Sequence, residues 1–194
     1  MSLFFETLYI KDQNIRNLEL HNKRLNKTIK DMFNINANID LSNFVKLKSK
    51  KAHRVKVIYN KEIQKIEIYP ILKREFKDFK IIKSDITYSY KYLNREKIDN
   101  LFKKRGSCDD IIIVDKNGFI KDSSIANISL LIDNVWITPK KPLLKGTMRE
   151  YLLKNKIIKE FDVKIEDIKK ANKIALSNAI LGFYIIDEFK IEDI

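Results

Sequence analysis

Thr138-Pro139-Lys140-Lys141-Pro142-Leu143-Leu144-Lys145-Gly146-Thr147-Met148-Arg149 holds one of the chain's four glycines, two of its three prolines and one of its seven arginines. A chain so poor in turn residues concentrates them where the backbone must do something specific. Gly146 is followed at once by Thr147-Met148-Arg149 and then by Tyr151, Leu152 and Leu153, so the glycine reads as a helix start. First-turn backbone N–H groups make a helix start a ready anion site, and a missing Cβ would let a phosphate approach. A helix cap with a purely structural duty is the competing reading.

Outward from this window the pattern is mixed. Asp115-Lys116-Asn117-Gly118 and Asp133-Asn134 carry hairpin-turn chemistry. Strands are expected at 110–115, 119–121, 128–133, 135–138, 173–177 and 182–187, with helices at 94–104, 147–155 and 165–171. Nearer the start, strands are expected at 3–10 and 80–88, and His53 to Tyr59 and Glu62 to Tyr69 alternate as a hairpin about Asn60-Lys61. Leu18, Leu25, Ile29, Met32 and Phe33 form an apolar stripe of helical spacing over 18–33, and 41–49 reads as a second, shorter helix. The fold class is therefore α+β. The boundary is expected between an N-terminal lobe, 1–88, and a C-terminal lobe, 89–194.

The 44% of hydrophobic residues suffices for a real core, and no apolar run is long enough for a membrane span. The opening Met1-Ser2-Leu3-Phe4-Phe5-Glu6 lacks a signal-peptide pattern. Cys108 has no second cysteine to pair with, which suits a reducing cytoplasm. Asp109 and Asp110 beside it would raise the thiol's pKa, so it reads as structural rather than nucleophilic. The net charge of +13 invites a nucleic-acid reading. Against it, lysines are spread along the chain among acidic residues. The densest knot, Lys46 to Arg54, brings no zinc spacing or RNA-reading pattern. A solvated basic surface that draws in small anions is the better reading, with no nucleic-acid partner expected.

Six short motifs occur in order: Lys91-Tyr92-Leu93-Asn94-Arg95; Asp109 to Gly118; Phe119 to Asn127; Val135-Trp136-Ile137-Thr138-Pro139; Leu144 to Arg149; and Leu176-Ser177-Asn178-Ala179. Together they resemble the class IV, D-amino-acid-aminotransferase-like pyridoxal 5'-phosphate (PLP) enzymes, and among them the 4-amino-4-deoxychorismate lyase branch. The likeness covers roughly residues 85–187, with a fainter N-terminal echo in Phe5-Glu6-Thr7 and His21-Asn22-Lys23-Arg24-Leu25. It implies a two-lobed PLP-enzyme fold and a homodimer.

Residue by residue, the resemblance implies that Lys91, one of 32 lysines, is the Schiff-base lysine and proton shuttle. Arg24 would grip the cofactor phosphate with its fixed fork. His21 alone reads as a packed or capping histidine. Asp122, where most relatives have glutamate, would keep the pyridine nitrogen protonated; alternatively it caps a turn with Ser123 and Ser124. Gly146 and Thr147 would hold the phosphate, Asn178 would add a second contact, and Asn94 or Arg95 would approach the cofactor's 3-oxygen or the substrate. Asn127 and Arg149 read as braces of these loops.

The chain opens almost directly at Phe5-Glu6-Thr7, where typical relatives have an extra strand, so the lobe that shapes the substrate pocket is abbreviated. Three functions follow. The first is a lyase that releases pyruvate and leaves 4-aminobenzoate for folate synthesis. The others are a branched-chain or D-amino-acid transaminase and a basic binding protein without catalysis. The reduced lobe and the Lys-x-Leu-Asn-Arg sequence favour the lyase.

Overall fold

Strand pairing divides the chain differently from a cut at residue 88. In the computed structural model, which describes residues 2–192, one unit runs to Lys73 and takes back Tyr90–Asn94. The other holds Arg74–Ser89 and everything from Arg95. The cause is hydrogen bonding. Phe4 bridges Tyr92, and the Phe5 N–H donates to the Lys91 carbonyl at 2.9 Å, which ties 90–94 to the first unit's sheet.

The first unit is a four-stranded antiparallel sheet with a helix on one face. It comprises β1 (Phe4–Lys11), β2 (Asn14–Ile15), α1 (Leu18–Phe33), β3 (His53–Tyr59) and β4 (Ile63–Pro70), in sheet order β2-β1-β3-β4. Side chains alternate across a strand. Phe4, Leu8 and Ile10 of β1 and Val55, Val57 and Tyr59 of β3 therefore pack with Leu25 and Ile29 of α1 in one core. Asp12 and Gln13, both with positive φ, make the tight turn that adds β2, a two-residue strand with no pattern of its own. Asn34 ends α1 in the left-handed conformation, its N–H returning to the Lys30 carbonyl.

The helix expected over 41–49 is a single turn. Asp40 accepts from the Ser42 N–H, a 3-10 turn spans Leu41–Asn43, and the Val45 N–H reaches the Leu41 carbonyl. Leu41 and Val45 are buried by that one turn, and Ser49 then bonds the Lys51 N–H, turning the backbone elsewhere.

The second unit comprises β5 (Asp78–Lys83), α2 (Glu96–Phe102), β6 (Asp110–Val114), β7 (Ile120–Ser123), β8 (Asn127–Ile132), β9 (Val135–Pro139), α3 (Thr147–Lys154), β10 (Lys159–Phe161), α4 (Ile165–Ile168), β11 (Lys173–Asn178), β12 (Gly182–Ile186) and β13 (Lys190–Glu192). Its sheet runs β10-β9-β8-β7-β6-β5-β13, with β11 and β12 branching from β8. Every residue of β6 is buried. Ile111 and Ile113 pack with Leu101 of α2, while Ile112 and Val114 join the larger core with Phe79, Ile128, Leu130, Ile174 and Leu176.

The strand expected to reach residue 88 stops at Lys83, because Ser84 and Asp85 turn their side chains to backbone N–H groups. The short edge strands β10 and β13 pair in parallel with β9 and β5. No helix among the described residues is long and apolar enough to cross a membrane.

Candidate active site

In the first unit the arrangement starts from Glu6, which points to the α1 side of the sheet and is fully buried. Helical spacing puts His21 and Arg24 on one face of α1, and both meet that carboxylate. Arg24 donates through Nε to Oε1 at 2.8 Å and through Nη2 to Oε2 at 2.5 Å, and His21 Nδ1 lies 2.6 Å from Oε2. Burial pushes the Glu6 carboxyl up. The Arg24 charge and the hydrogen bonds from His21 and Arg24 outweigh it and hold the pKa at about 2. Burial lowers the His21 pKa, with Glu6 opposing, so the ring is neutral and donates from Nδ1.

Arg24 thus presents one edge of its guanidinium to Glu6. The sequence reading picked out Arg24 and His21 but assigned no role to Glu6. The Phe5-Glu6-Thr7 motif was the available signal: an acid on the inward-facing positions of an otherwise apolar strand needs a buried partner.

Lys91 sits on the β1 edge of the same sheet. Its carbonyl takes the Phe5 N–H, Leu93 N–H donates to the Leu3 carbonyl, and the Lys91 Nζ lies 4.5 Å from the Phe5 ring centroid. Its charge contributes to lowering the His21 pKa. Asn94 is exposed, and α2 begins only at Glu96.

The second unit builds its part around Asp122, which lies opposite Asn127 across the β7–β8 hairpin. Asp122 is buried, with Oδ1 accepting from Asn127 Nδ2 at 2.7 Å and Oδ2 from the Leu144 N–H at 2.9 Å. Burial raises its pKa to about 7, against the pull of those hydrogen bonds and of the Arg149 charge. It does not cap the turn. Ser123 does, its Oγ accepting from the Ile125 and Ala126 N–H groups.

Asn127 locks this turn to the loop before α3, donating also to the Leu144 carbonyl at 2.7 Å and accepting from the Gly146 N–H at 3.2 Å. That amide explains the glycine. A Cβ at Gly146 would stand 2.2 Å from Asn127 Oδ1, so the space expected to admit a phosphate is filled by the Asn127 side chain. Gly146 is the N-cap of α3, and Thr147, the first helical residue, is buried. The first turn of α3 is the positive end of its dipole, which suits an anion.

Asn178 reaches the same hairpin, giving Nδ2 to the Ile125 carbonyl, while its Oδ1 accepts from the Ile180 and Leu181 N–H groups. Arg95 holds the Ser124 carbonyl at 2.7 Å. Arg149 is 3% exposed and bonds the Pro139 carbonyl and Glu160. Cys108 is a buried free thiol, its pKa raised by burial first and by Glu192 next.

Gly146→Ala should lower stability by about 1–3 kcal/mol in the wild-type background and much less beside Asn127→Ala, because the clash and the amide vanish together. Denaturant midpoints for the four proteins of that cycle check it, and equal losses in both backgrounds would contradict it.

Residues 89–189 match the family described as amino-transferase class IV. An uncharacterized protein of Haemophilus influenzae is 35% identical over 184 residues, covering 92% of this chain and 97% of its own length. A crystal structure from Haemophilus somnus, provisionally named as a 4-amino-4-deoxychorismate lyase, has a TM-score of 0.87 at 30% identity, over 94% of this chain and 98% of that one. A hypothetical aminotransferase from Mycobacterium tuberculosis, solved in a PLP-bound form, shares the fold with a TM-score of 0.78 at 16% identity, over 96% of this chain and 81% of that one.

Proposed function

The chain belongs to the amino-transferase class IV family, and from that premise we propose that it is a PLP-dependent 4-amino-4-deoxychorismate lyase, releasing pyruvate and leaving 4-aminobenzoate. The family's fold has been solved with PLP bound in the mycobacterial relative. The near-full-length likeness to the Haemophilus somnus protein supports the lyase over a transaminase.

The observation that carries the cofactor assignment is Asp122. A carboxyl buried with a pKa near 7, and fixed on both oxygens, needs a proton-bearing partner to stay charged. A pyridine ring nitrogen is such a partner. The resemblance assigns the other groups: the amine of Lys91, the guanidinium of Arg24 and, for the phosphate, the α3 start at Thr147, the Gly146 N–H being taken by Asn127. Asn178 would support that end, and Asn94 would face the substrate side.

When bound, PLP supplies an electron sink for the charge left on carbon as a C–H bond breaks. Everything else falls to the chain. Lys91 would hold the cofactor through its amine until the substrate's ring amine displaces it. It then takes the proton from the ring carbon bearing that amine. The ether bond to the enolpyruvyl group breaks, the ring becomes aromatic, and Lys91 returns the proton to the departing enolpyruvate, which becomes pyruvate. No water and no amino acceptor are consumed. Asp122 holds the proton on the ring nitrogen, and Arg24, kept in place by Glu6, positions rather than reacts.

The test supplies the PLP-loaded protein with aminodeoxychorismate and, separately, with amino acids plus 2-oxoglutarate. Pyruvate and 4-aminobenzoate appearing in equal amounts is the expected result. Amino transfer without them would hand the case to a transaminase.

A further inference from the structure

Two buried acids meet the β7–β8 hairpin, Asp122 in β7 and Asp110 at the start of β6. Burial is the largest influence on each and pushes both carboxyls up. Their partners differ. Asp110 Oδ1 accepts from the Ile111 N–H at 2.8 Å and the Ser124 N–H at 3.3 Å, and the Ser123 and Ser124 hydroxyls also favour its ionised form. Asp122 takes the Leu144 N–H on one oxygen and the Asn127 amide on the other, with the Leu143 N–H adding to their pull. Arg149 of α3 brings a positive charge to bear on Asp122, while β11 sets the neutral Ser177 opposite Asn127.

The Asn127 amide has one way to sit. Its neighbours are two acceptors, Asp122 Oδ1 and the Leu144 carbonyl, each at 2.7 Å, and one donor, the Gly146 N–H at 3.2 Å. The two Nδ2 hydrogens match the acceptors and Oδ1 matches the donor; flipped, the amide would set oxygen against oxygen twice. Both hydrogens are thereby used, and none is left for Asp110. A brace between β8 and the loop before α3 would need only Leu144 and Gly146. The further hydrogen goes to Asp122 Oδ1, where a buried acceptor without its donor favours the neutral acid.

We propose that Asn127 is a positioning residue: by donating to Asp122 Oδ1 it keeps that carboxylate ionised, so that the proton between carboxylate and cofactor rests on the ring nitrogen. The cofactor half of this rests on the reading of Asp122 as the partner of the pyridine ring. Asn127 acts through Asp122 and moves no proton itself. In Asn127→Ala, Asp122 loses a hydrogen bond to its charged form, holds its own proton to a higher pH and competes with the ring nitrogen for it.

The experiment first titrates the PLP-free protein, labelled with carbon-13 at its aspartate carboxyls, with the Asp122 and Asp110 signals assigned from Asp122→Asn and Asp110→Asn. In Asn127→Ala the Asp122 midpoint should rise by about one unit or more, while the Asp110 midpoint stays within about 0.3 unit. A hairpin that was merely loosened would move both, since Asp110 is bonded to it through Ser124. In the wild type the Asn127 side-chain amide protons should follow the Asp122 midpoint, a reading that needs no folded variant. The second arm loads wild type and Asn127→Ala with PLP labelled with nitrogen-15 in the ring. Slightly above neutral pH, the wild-type nitrogen should show the shift of a protonated ring and the Asn127→Ala nitrogen that of an unprotonated one.

An Asp122 midpoint that stays put in Asn127→Ala, or that moves together with Asp110, would overturn the proposal. So would wild-type Asn127 amide protons that ignore the Asp122 titration. Separated midpoints with the same ring-nitrogen shift in both loaded proteins would overturn the cofactor half. Separated midpoints in a protein that takes up no PLP would support the hold of Asn127 on Asp122 and sink the cofactor reading.

Discussion

Lys91→Ala should abolish turnover, with a loss of about a thousandfold or more, while the folded protein still takes up PLP without a covalent bond. The magnitude follows from removing both the attacking amine and the general base in one substitution. Folding should survive, because Lys91 is held to β1 by its backbone. The Phe5 N–H bonds the residue 91 carbonyl whatever side chain stands there. The loss on the folded state includes one cation over the Phe5 ring, on the order of 0.5–1 kcal/mol. Product release at saturating PLP, with dialysis to measure bound cofactor, checks the prediction. Full activity in the variant would remove Lys91 from the chemistry.

Glu6→Gln should cost the folded protein about 3 kcal/mol near neutral pH, the scale on which breaking a buried ion pair strands its partner. Glu6 is the buried carboxylate that pairs with His21, and it holds Arg24 through two bonds. The pH dependence has a definite sign. The folded pKa, about 2, lies below the ordinary 4.5, so the stabilisation is complete above pH 4.5 and is lost as pH falls toward 2. His21, kept neutral by burial, works in the same direction, its contribution fading as pH falls below 6.5. Asp122 works in the other. Its raised pKa means the folded protein gains stability as pH falls from 7 toward 4.

The difference between wild type and Glu6→Gln cancels the Asp122 term. That difference should be largest at pH 7 and shrink toward pH 3 in denaturant titrations. A gap of the same size at both pH values would contradict the charged assignment of Glu6. PLP affinity should fall as well, since Arg24 loses the partner that aims it.

The elements legible in the sequence were those that bury a repeated face. Leu18–Phe33 forms the helix its stripe called for, and β3, β6 and β11 follow their apolar runs. What pattern missed lies where pairing, not composition, decides. β10 has three exposed residues and exists because β9 offers a parallel edge. β2 exists because Asp12 and Gln13 adopt positive φ. The return of Tyr90–Asn94 to the first unit is a long-range hydrogen-bonding event that no local window contains.

The candidate site divides in the same way. Arg24, Lys91, Asp122 and Asn178 could be chosen because their motifs stand in family order. The reason for Gly146 could not: the glycine is required by the Asn127 amide nineteen positions earlier in the chain, and only the fold brings the two together. Glu6 was hidden for a related reason. Its meaning is its partners, His21 and Arg24, which lie on another element.

The central claim is that this chain carries PLP on Lys91. Incubation of the purified protein with PLP, reduction with borohydride and peptide mapping by mass spectrometry tests it most directly. The account predicts one reduced pyridoxyl-phosphate adduct per chain, on Lys91, despite the presence of 32 lysines. An adduct scattered over several lysines, or none that survives reduction, would contradict it.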